Sequence, residues 1–527
     1  MANKIQSNTV GLHTALEQSL GVLPATPVWR ELAQNSFGDF GAKVEATERE
    51  VMTTDRQMRK GMVTAVDSTA AYNIDMTQRG NEQAYCGMMF ALPHEKPTTA
   101  PIFGREGLGG AVRLDVSTIS PTAINLSAAL TGVKTNDIVV LHKAKKEINN
   151  NSPQVVSAIA AGDLTVAPLN VGSTLVAEAT STAELTVVGH RFGAGEITAV
   201  GEATQVTLTS AAAGYSFIAD AQLSAGEWIF VGGDAAINRF DEMNPFYARI
   251  KEVTATTLVL DTTTSPVAAV VATTKQITLY YGTFIHNEED MNKIRMLSWT
   301  MERALGNDGA GTQAEYVKGC VASELSLSME QRSKAAMDVS YMALDTYYRD
   351  GTQGLINGTR IKADSETPAY NMSTDVYRQR LAINSRTTMN PSALYAMVQT
   401  LSININNNVS GDTAIGQATA FDMSTGNFAV TGSLTAYFNK VDAIKAVRCN
   451  CTVGIDIILA RENAGTVLDV PAVTLGGSSL KIEKDTPITI DLDTAAFKSK
   501  YGFTMGLTQF RYLPTVAMPA TLVDCVC

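Results

Sequence analysis

Long apolar runs are missing from this chain. None of its windows approaches the roughly eighteen apolar residues that a membrane-crossing helix needs. The start, MANKIQSNTVGLHTALEQ, has one lysine and no apolar stretch of signal-peptide length, which predicts a product that stays soluble where it is made, without a membrane partner. Histidine is scarce: His13, His94, His142, His190 and His286 are scattered, and no two stand at the i, i+4 spacing that places two imidazoles on one helical face for a metal. Six cysteines in 527 residues are too few for a disulfide framework and fit a reducing compartment. Basic residues are outnumbered 41 to 52, and the resulting charge of -11 has the wrong sign for a protein that grips phosphate backbones. Aromatics at 7%, with no convincing pair of acids, argue against a carbohydrate-cleaving cleft.

With 45% hydrophobic and 18% charged residues, the chain is too apolar for disorder and too long for one ordinary core, so two or three folded domains are expected. Period-2 alternation recurs where helical periodicity does not, and the fold class is mainly β. In the run from Val321 to Glu330, Val321, Leu325, Leu327 and Met329 are expected to face a core, with Glu324, Ser326, Ser328 and Glu330 facing water. The same pattern holds for Leu401, Ile403 and Ile405, and for Phe428, Val430, Leu434 and Phe438. It recurs for Cys451, Val453, Ile455, Ile457 and Leu459, and again for Ile488, Ile490 and Leu492. Antiparallel sheets with one solvated face read this way. One short helix is expected after Asn439, which would cap a turn bearing Val441, Ile444 and Val447 on one face.

The middle of the chain, roughly 112–281, differs in texture, being rich in Ala, Thr, Val and Gly with many short strands and few aromatics. It also repeats. Asn136 to Leu141 (NDIVVL) aligns with Gly226 to Val231 (GEWIFV), and Ile159 to Val166 (IAAGDLTV) aligns with Val253 to Leu260 (VTATTLVL). Each copy reads as a strand, a loop and a hairpin, as in a small barrel-like β module.

Sites for chemistry are hard to find. Two Cys-x-Cys pairs, Cys449 with Cys451 and Cys525 with Cys527, put sulfurs on one side of a strand, but structural zinc favours wider CxxC spacing. Gly104 to Gly110 (GREGLGG) has the glycines of a phosphate loop, yet AVRLDVSTI follows it and offers no helix N-terminus. Asp491 and Asp493 share one side of a strand with no nucleophile or metal partner nearby. The basic clusters Arg56 to Lys60 and His142 to Lys146 are bordered by Asp55 and Glu147 and read as solvated faces or inter-subunit ion pairs. No residue is assigned to catalysis, to a cofactor or to a metal.

Taken in order, several segments resemble the major tail tube proteins of long-tailed, siphovirus-type bacteriophages. They are Ala15 to Trp29 (ALEQSLGVLPATPVW), Thr53 to Gly61 (TTDRQMRKG), Trp299 to Arg303 (WTMER), Tyr316 to Val321 (YVKGCV), Gly432 to Phe438 (GSLTAYF), Val453 to Ile457 (VGIDI) and Leu468 to Pro471 (LDVP). The resemblance implies a tail-tube β-sandwich or barrel built from 1–111 and 282–527, with a short flanking helix. Residues 112–281 depart from the resemblance and read as an inserted, β-rich region of small modules, outward-facing and, from the change in composition at both edges, the junction glycines Gly109, Gly110 and Gly282 and the internal repeat, removable at little cost to the host core. It further implies a structural virion protein and no enzyme: a homo-oligomer of stacked, hexameric rings that forms the conduit for genome delivery. The implied partners are tape measure, terminator and baseplate or tip proteins, and viral DNA passing without tight binding through a neutral to acidic lumen. The implied location is the virion tail, with assembly in the host cytoplasm. A secreted adhesin or surface-layer β protein is the alternative, and it would need an export signal.

Overall fold

The computed structural model describes residues 5–519, except 93–115, 127–132, 262–273 and 385–390 and the shorter stretches 6, 51, 53, 55–56, 58, 79–80, 161–162, 182, 202–204, 241–243, 308, 310, 364–366, 396–397 and 439–440. The chain begins with β1 (Gly11–Leu16), β2 (Val28–Leu32), β3 (Gln34–Arg49) and β4 (Arg59–Asp75), followed by helix α1 (Glu82–Met89). A first group of six strands comes next: β5 (Val116–Ser120), β6 (Ala123–Leu126), β7 (Asp137–His142), β8 (Gln154–Ala160), β9 (Asp163–Pro168) and β10 (Glu184–Arg191). A second six follow: β11 (Ile197–Gly201), β12 (Gln205–Ser210), β13 (Trp228–Val231), β14 (Phe246–Val253), β15 (Thr257–Asp261) and β16 (Thr278–Tyr281). The chain then makes β17 (Thr283–His286), β18 (Ser298–Asn307), β19 (Thr312–Glu330), β20 (Ala336–Ala343), β21 (Asp345–Arg349) and β22 (Thr359–Ile361). It continues through β23 (Val376–Asn384), β24 (Pro391–Tyr395), β25 (Val398–Asn406), β26 (Ser410–Asp412), β27 (Asp422–Ser424) and β28 (Ala429–Tyr437). Helix α2 (Asp442–Arg448) precedes β29 (Val453–Arg461), β30 (Ala464–Lys481), β31 (Thr489–Ala496) and β32 (Gly506–Phe510).

Two sheets dominate. The larger has eighteen strands, drawn from before β5 and after β16, and its pairings run β3–β4–β20–β19–β25–β28–β31–β30–β29–β23 with side branches. It folds over one core in which Tyr72, Trp299, Leu325, Ile403, Leu434, Ile455, Leu468 and Leu492 meet, giving the sandwich expected from the alternation. No circuit of pairings closes it among the described strands, so one copy is not a barrel. The smaller sheet contains only β5 to β16, in the order β11-β12-β15-β14-β13-β16-β10-β7-β8-β9-β6-β5. That order is a palindrome in which β11 to β16 take the places of β5 to β10. The aligned segments of the two sequence copies fall on β7 and β13 and on the β8–β9 and β14–β15 hairpins, so the repeat is real at the level of topology.

Several local expectations need correction. Val321 does not share a face with Leu325: a bulge between Ala322 and Glu324 shifts the register, so Val321 packs with Leu344 and Met423 while Ala322 and Leu325 enter the main core. On β29 the even-numbered residues are as buried as the odd ones, because the smaller sheet covers that side; Ile458 packs against it. Helix α2 starts after Val441, which is exposed, and only Ile444 and Val447 pack on the core; Asn439 lies outside the described residues. Helix α1 was not anticipated. All eight of its residues are buried, so it lacks the polar stripe that helical periodicity needs in order to be seen.

Candidate functional site: sheet edges, a wet face and buried braces

The long strands leave backbone unpaired. Among the described residues β3 pairs only with β4, and the part of β30 from Thr474 to Lys481 pairs only with β31. Between these two edges β25, β28 and β31 present a polar face, because their alternate residues Leu401, Ile403, Ile405, Val430, Leu434, Ile490 and Leu492 all turn into the core. Asp491 and Asp493 belong to this face. Asp491 accepts a hydrogen bond from Thr435 at 2.8 Å and pairs with Lys481 at 2.6 Å, and these contacts hold its carboxyl below the usual range.

Buried carboxylates brace the rest. Glu17 accepts four hydrogen bonds, from Gly21 N, Ser298 Oγ, Thr300 Oγ1 and Gly319 N, and so ties the N-terminal segment to β18 and β19. Gly319 stands in a bulge where two residues oppose Thr300, with φ at +68°, a conformation that glycine adopts without strain. Glu302 is fully buried, with Arg360 Nη1 and Nη2 at 2.7 and 2.8 Å, the Tyr316 hydroxyl at 2.5 Å and His13 Nδ1 at 3.2 Å. Burial alone would raise its pKa; His13, Arg360 and Tyr316 outweigh that and hold it at about 2. Sequence spacing had no means of pairing Glu302 with Arg360, 58 positions away.

The smaller sheet is joined to the larger one by a mixed interface. Ile138, Val140, Trp228, Phe230 and Tyr280 meet Ile458, Val467, Phe510, Tyr512 and Leu513. At its centre Trp228 Nε1 donates to Asp469 at 3.0 Å, and the guanidinium groups of Arg249 and Arg378 lie over the Trp228 ring, 5.8 and 5.3 Å from its centre. Arg249 also bonds Asp261 at 2.9 Å. This overturns the expectation that residues 112–281 could be removed with little exposure of the host core, because the alternation of each strand had accounted for one buried face only.

The remaining candidates disperse. His190 pairs with buried Asp137 at 2.8 Å inside the smaller sheet's core, and His286 lies beside Phe284 and Phe503. His94 and the Gly104 to Gly110 loop lie outside the described residues, as do Cys525 and Cys527. Cys449 is exposed and Cys451 half-buried, both with free thiols. Among the described residues no three His, Cys, Asp or Glu side chains form a metal-holding group. In the basic cluster from His142 to Lys146, Lys143 pairs with Glu184 at 2.8 Å and the backbone N–H groups of Lys145 and Lys146 donate to Glu178, so its partners lie within the chain. Arg56 and the side chain of Arg59 are outside the described residues.

The described residues thus present open strand edges and a wetted sheet face. Residues 7–496 match the profile of the phage tail tube protein family. The chain belongs to that family. No curated protein matches the sequence. The tail tube family is a structural one; membership places the chain in the virion tail and implies assembly into a multimeric tube with other tail proteins. No helix among the described residues is long and apolar enough to cross a membrane.

Proposed function

We propose that copies of this chain polymerise as stacked, hexameric rings into the tail tube, and that the tube conducts the genome during delivery. The observation that carries this reading is the pair of edges, on β3 and on Thr474 to Lys481 of β30, left unpaired among the described residues. Long edges left open invite pairing with another chain, and a ring satisfies both edges of every copy at once. Residues 112–281 then form an outward module, and the tube meets tape measure, terminator and baseplate or tip proteins at its ends and interior. Assembly takes place in the host cytoplasm, viral DNA passes without tight binding, and the protein catalyses no reaction. Negative-stain microscopy and sedimentation of the full chain, with initiator and chaperone partners supplied, should show rings or tubes. A strictly monomeric species at high concentration under those conditions refutes the reading.

A further inference from the structure

The larger sheet is built twice. The series β3, β4, α1, β18, β19, β20 and β21 recurs in chain order as β25, β28, α2, β29, β30, β31 and β32. Its pairings recur as well: β3–β4, β4–β20, β20–β19, β19–β18 and β19–β21 match β25–β28, β28–β31, β31–β30, β30–β29 and β30–β32. Irregularities fall at the same places. The bulge between Gln34 and Ser36 opposite β4 returns between Val398 and Thr400 opposite β28, and the one between Trp299 and Met301 opposite β19 returns between Val453 and Ile455 opposite β30. Three residues after Trp299 stands the buried acid Glu302, with His13 opposite it on β1 at 3.2 Å. Three residues after Val453 stands the buried acid Asp456, with Arg380 opposite it on β23 at 2.6 Å.

Where the two units meet, β19 of the first pairs antiparallel with β25 of the second, Leu327 opposite Ile403 and Glu324 opposite Asn406. The counterparts of β19 and β25 are β30 and β3, which carry the two edges left open among the described residues. We infer, on the tube reading, that the seam between chains repeats this junction within the chain: β30 of one copy pairs antiparallel with β3 of a second, Leu480 opposite Phe40 and Gly476 opposite Lys43. The ladder sets that register. Leu480 stands opposite Ile490 and Ile490 opposite Ala436, as Leu327 stands opposite Met337 and Met337 opposite Ile74, and Ala436 and Ile74 both face the first bulge. Phe40 faces Ala70, four residues before Ile74, and Ile403 faces Gly432, four before Ala436. Exposure supports the same match. Leu327 and Met329 are 2% and 5% exposed in the junction, whereas their counterparts Leu480 and Ile482 are 37% and 70% exposed, as one side of that junction is with its partner withdrawn. Charge fits as well, because Asp493 lies opposite Gly476 on β31, and Lys43 of the second copy would face it across a residue that has no side chain. Each chain thereby fills two neighbouring places, so a ring holds twice as many sheet units as chains.

Cross-linking of assembled polymer tests the seam in two ways. On the unsubstituted chain, a zero-length carbodiimide should join Lys43 to Asp493 of another copy, read by mass spectrometry of polymer grown from mixed isotope-labelled and unlabelled chains. In the full chain with Cys449, Cys451, Cys525 and Cys527 replaced by serine, Leu480→Cys combined with Phe40→Cys should give interchain disulfides when polymer is oxidised. Leu480→Cys combined with Val44→Cys is shifted by four residues, about 13 Å along the strand, and should link at least tenfold less. Should the cysteine variants fail to assemble, the carbodiimide product decides alone. If polymer forms and the shifted pair links as fast as the matched one, or Lys43 joins acids of its own chain only, the seam falls and the tube reading stands. If the unsubstituted chain forms no polymer under any condition, both fall.

Discussion

Arg249 of the smaller sheet holds its Nη1 atom 2.9 Å from the Asp469 carboxylate of the larger sheet, with both side chains buried. This ion pair lies at the centre of the mixed interface between the two sheets, and removing Arg249 leaves the buried Asp469 carboxylate without an opposite charge. Arg249→Met is expected to destabilise the protein by about 3–5 kcal/mol, since Asp469 and Asp261 then lose a shared partner. Thermal unfolding would measure the loss. Hydrogen exchange should also rise first in β13 and β14 and along β30; an unchanged melting temperature refutes the assignment.

Replacing 112–281 by a Gly/Ser linker is expected to yield an aggregating or poorly folded product, because it uncovers Ile458, Val467, Phe510 and Tyr512 together with the Asp469 charge. Circular dichroism and solubility report this directly. Adding Asp469→Asn and polar substitutions at Val467 and Phe510 to the deletion should recover soluble protein. A soluble, folded deletion without those changes contradicts the interface as described.

Acid should loosen the N-terminal brace. The Glu302 pKa in the folded chain, about 2, lies below its ordinary value of 4.5. The folded state therefore binds fewer protons in that window, and the stabilisation is present above about pH 4.5 and lost as the pH falls towards 2. Glu302→Gln should lower the melting temperature at neutral pH and flatten its fall between those limits, as read by thermal melts across pH. A variant whose acid profile parallels that of the parent protein rules the carboxylate out as the sensitive group.

Gly319→Ala should cost about 1–3 kcal/mol, the usual penalty for forcing a side chain into the left-handed region. A β-carbon there would also meet Leu344 Cγ at 2.6 Å. Denaturant unfolding gives the number, and a neutral substitution would mean that the bulge relaxes.

Backbone amides on the open edges of β3 and of β30 from Thr474 to Lys481 should exchange rapidly in isolated subunits and become protected in polymer. Protection that appears elsewhere while these edges stay fast would place the seam between copies on other strands.

The alternation of Leu401, Ile403 and Ile405 with Ser402 and Asn404 determined by itself that β25 buries one face and wets the other, because side chains in a strand point to opposite sides whatever the strand pairs with. Local order of that kind also revealed the duplicated modules and, through the succession of short segments from Ala15 to Pro471, the family. What decided the second face of β29, the burial of every residue of α1, and the partners of Glu302 and Asp469 was tertiary structure alone. Those contacts join residues far apart in the chain, such as Arg249 and Asp469 at 220 positions and Trp228 and Asp469 at 241. No local period encodes such a pairing, since it exists only once two separately folded sheets are pressed together and water is excluded between them.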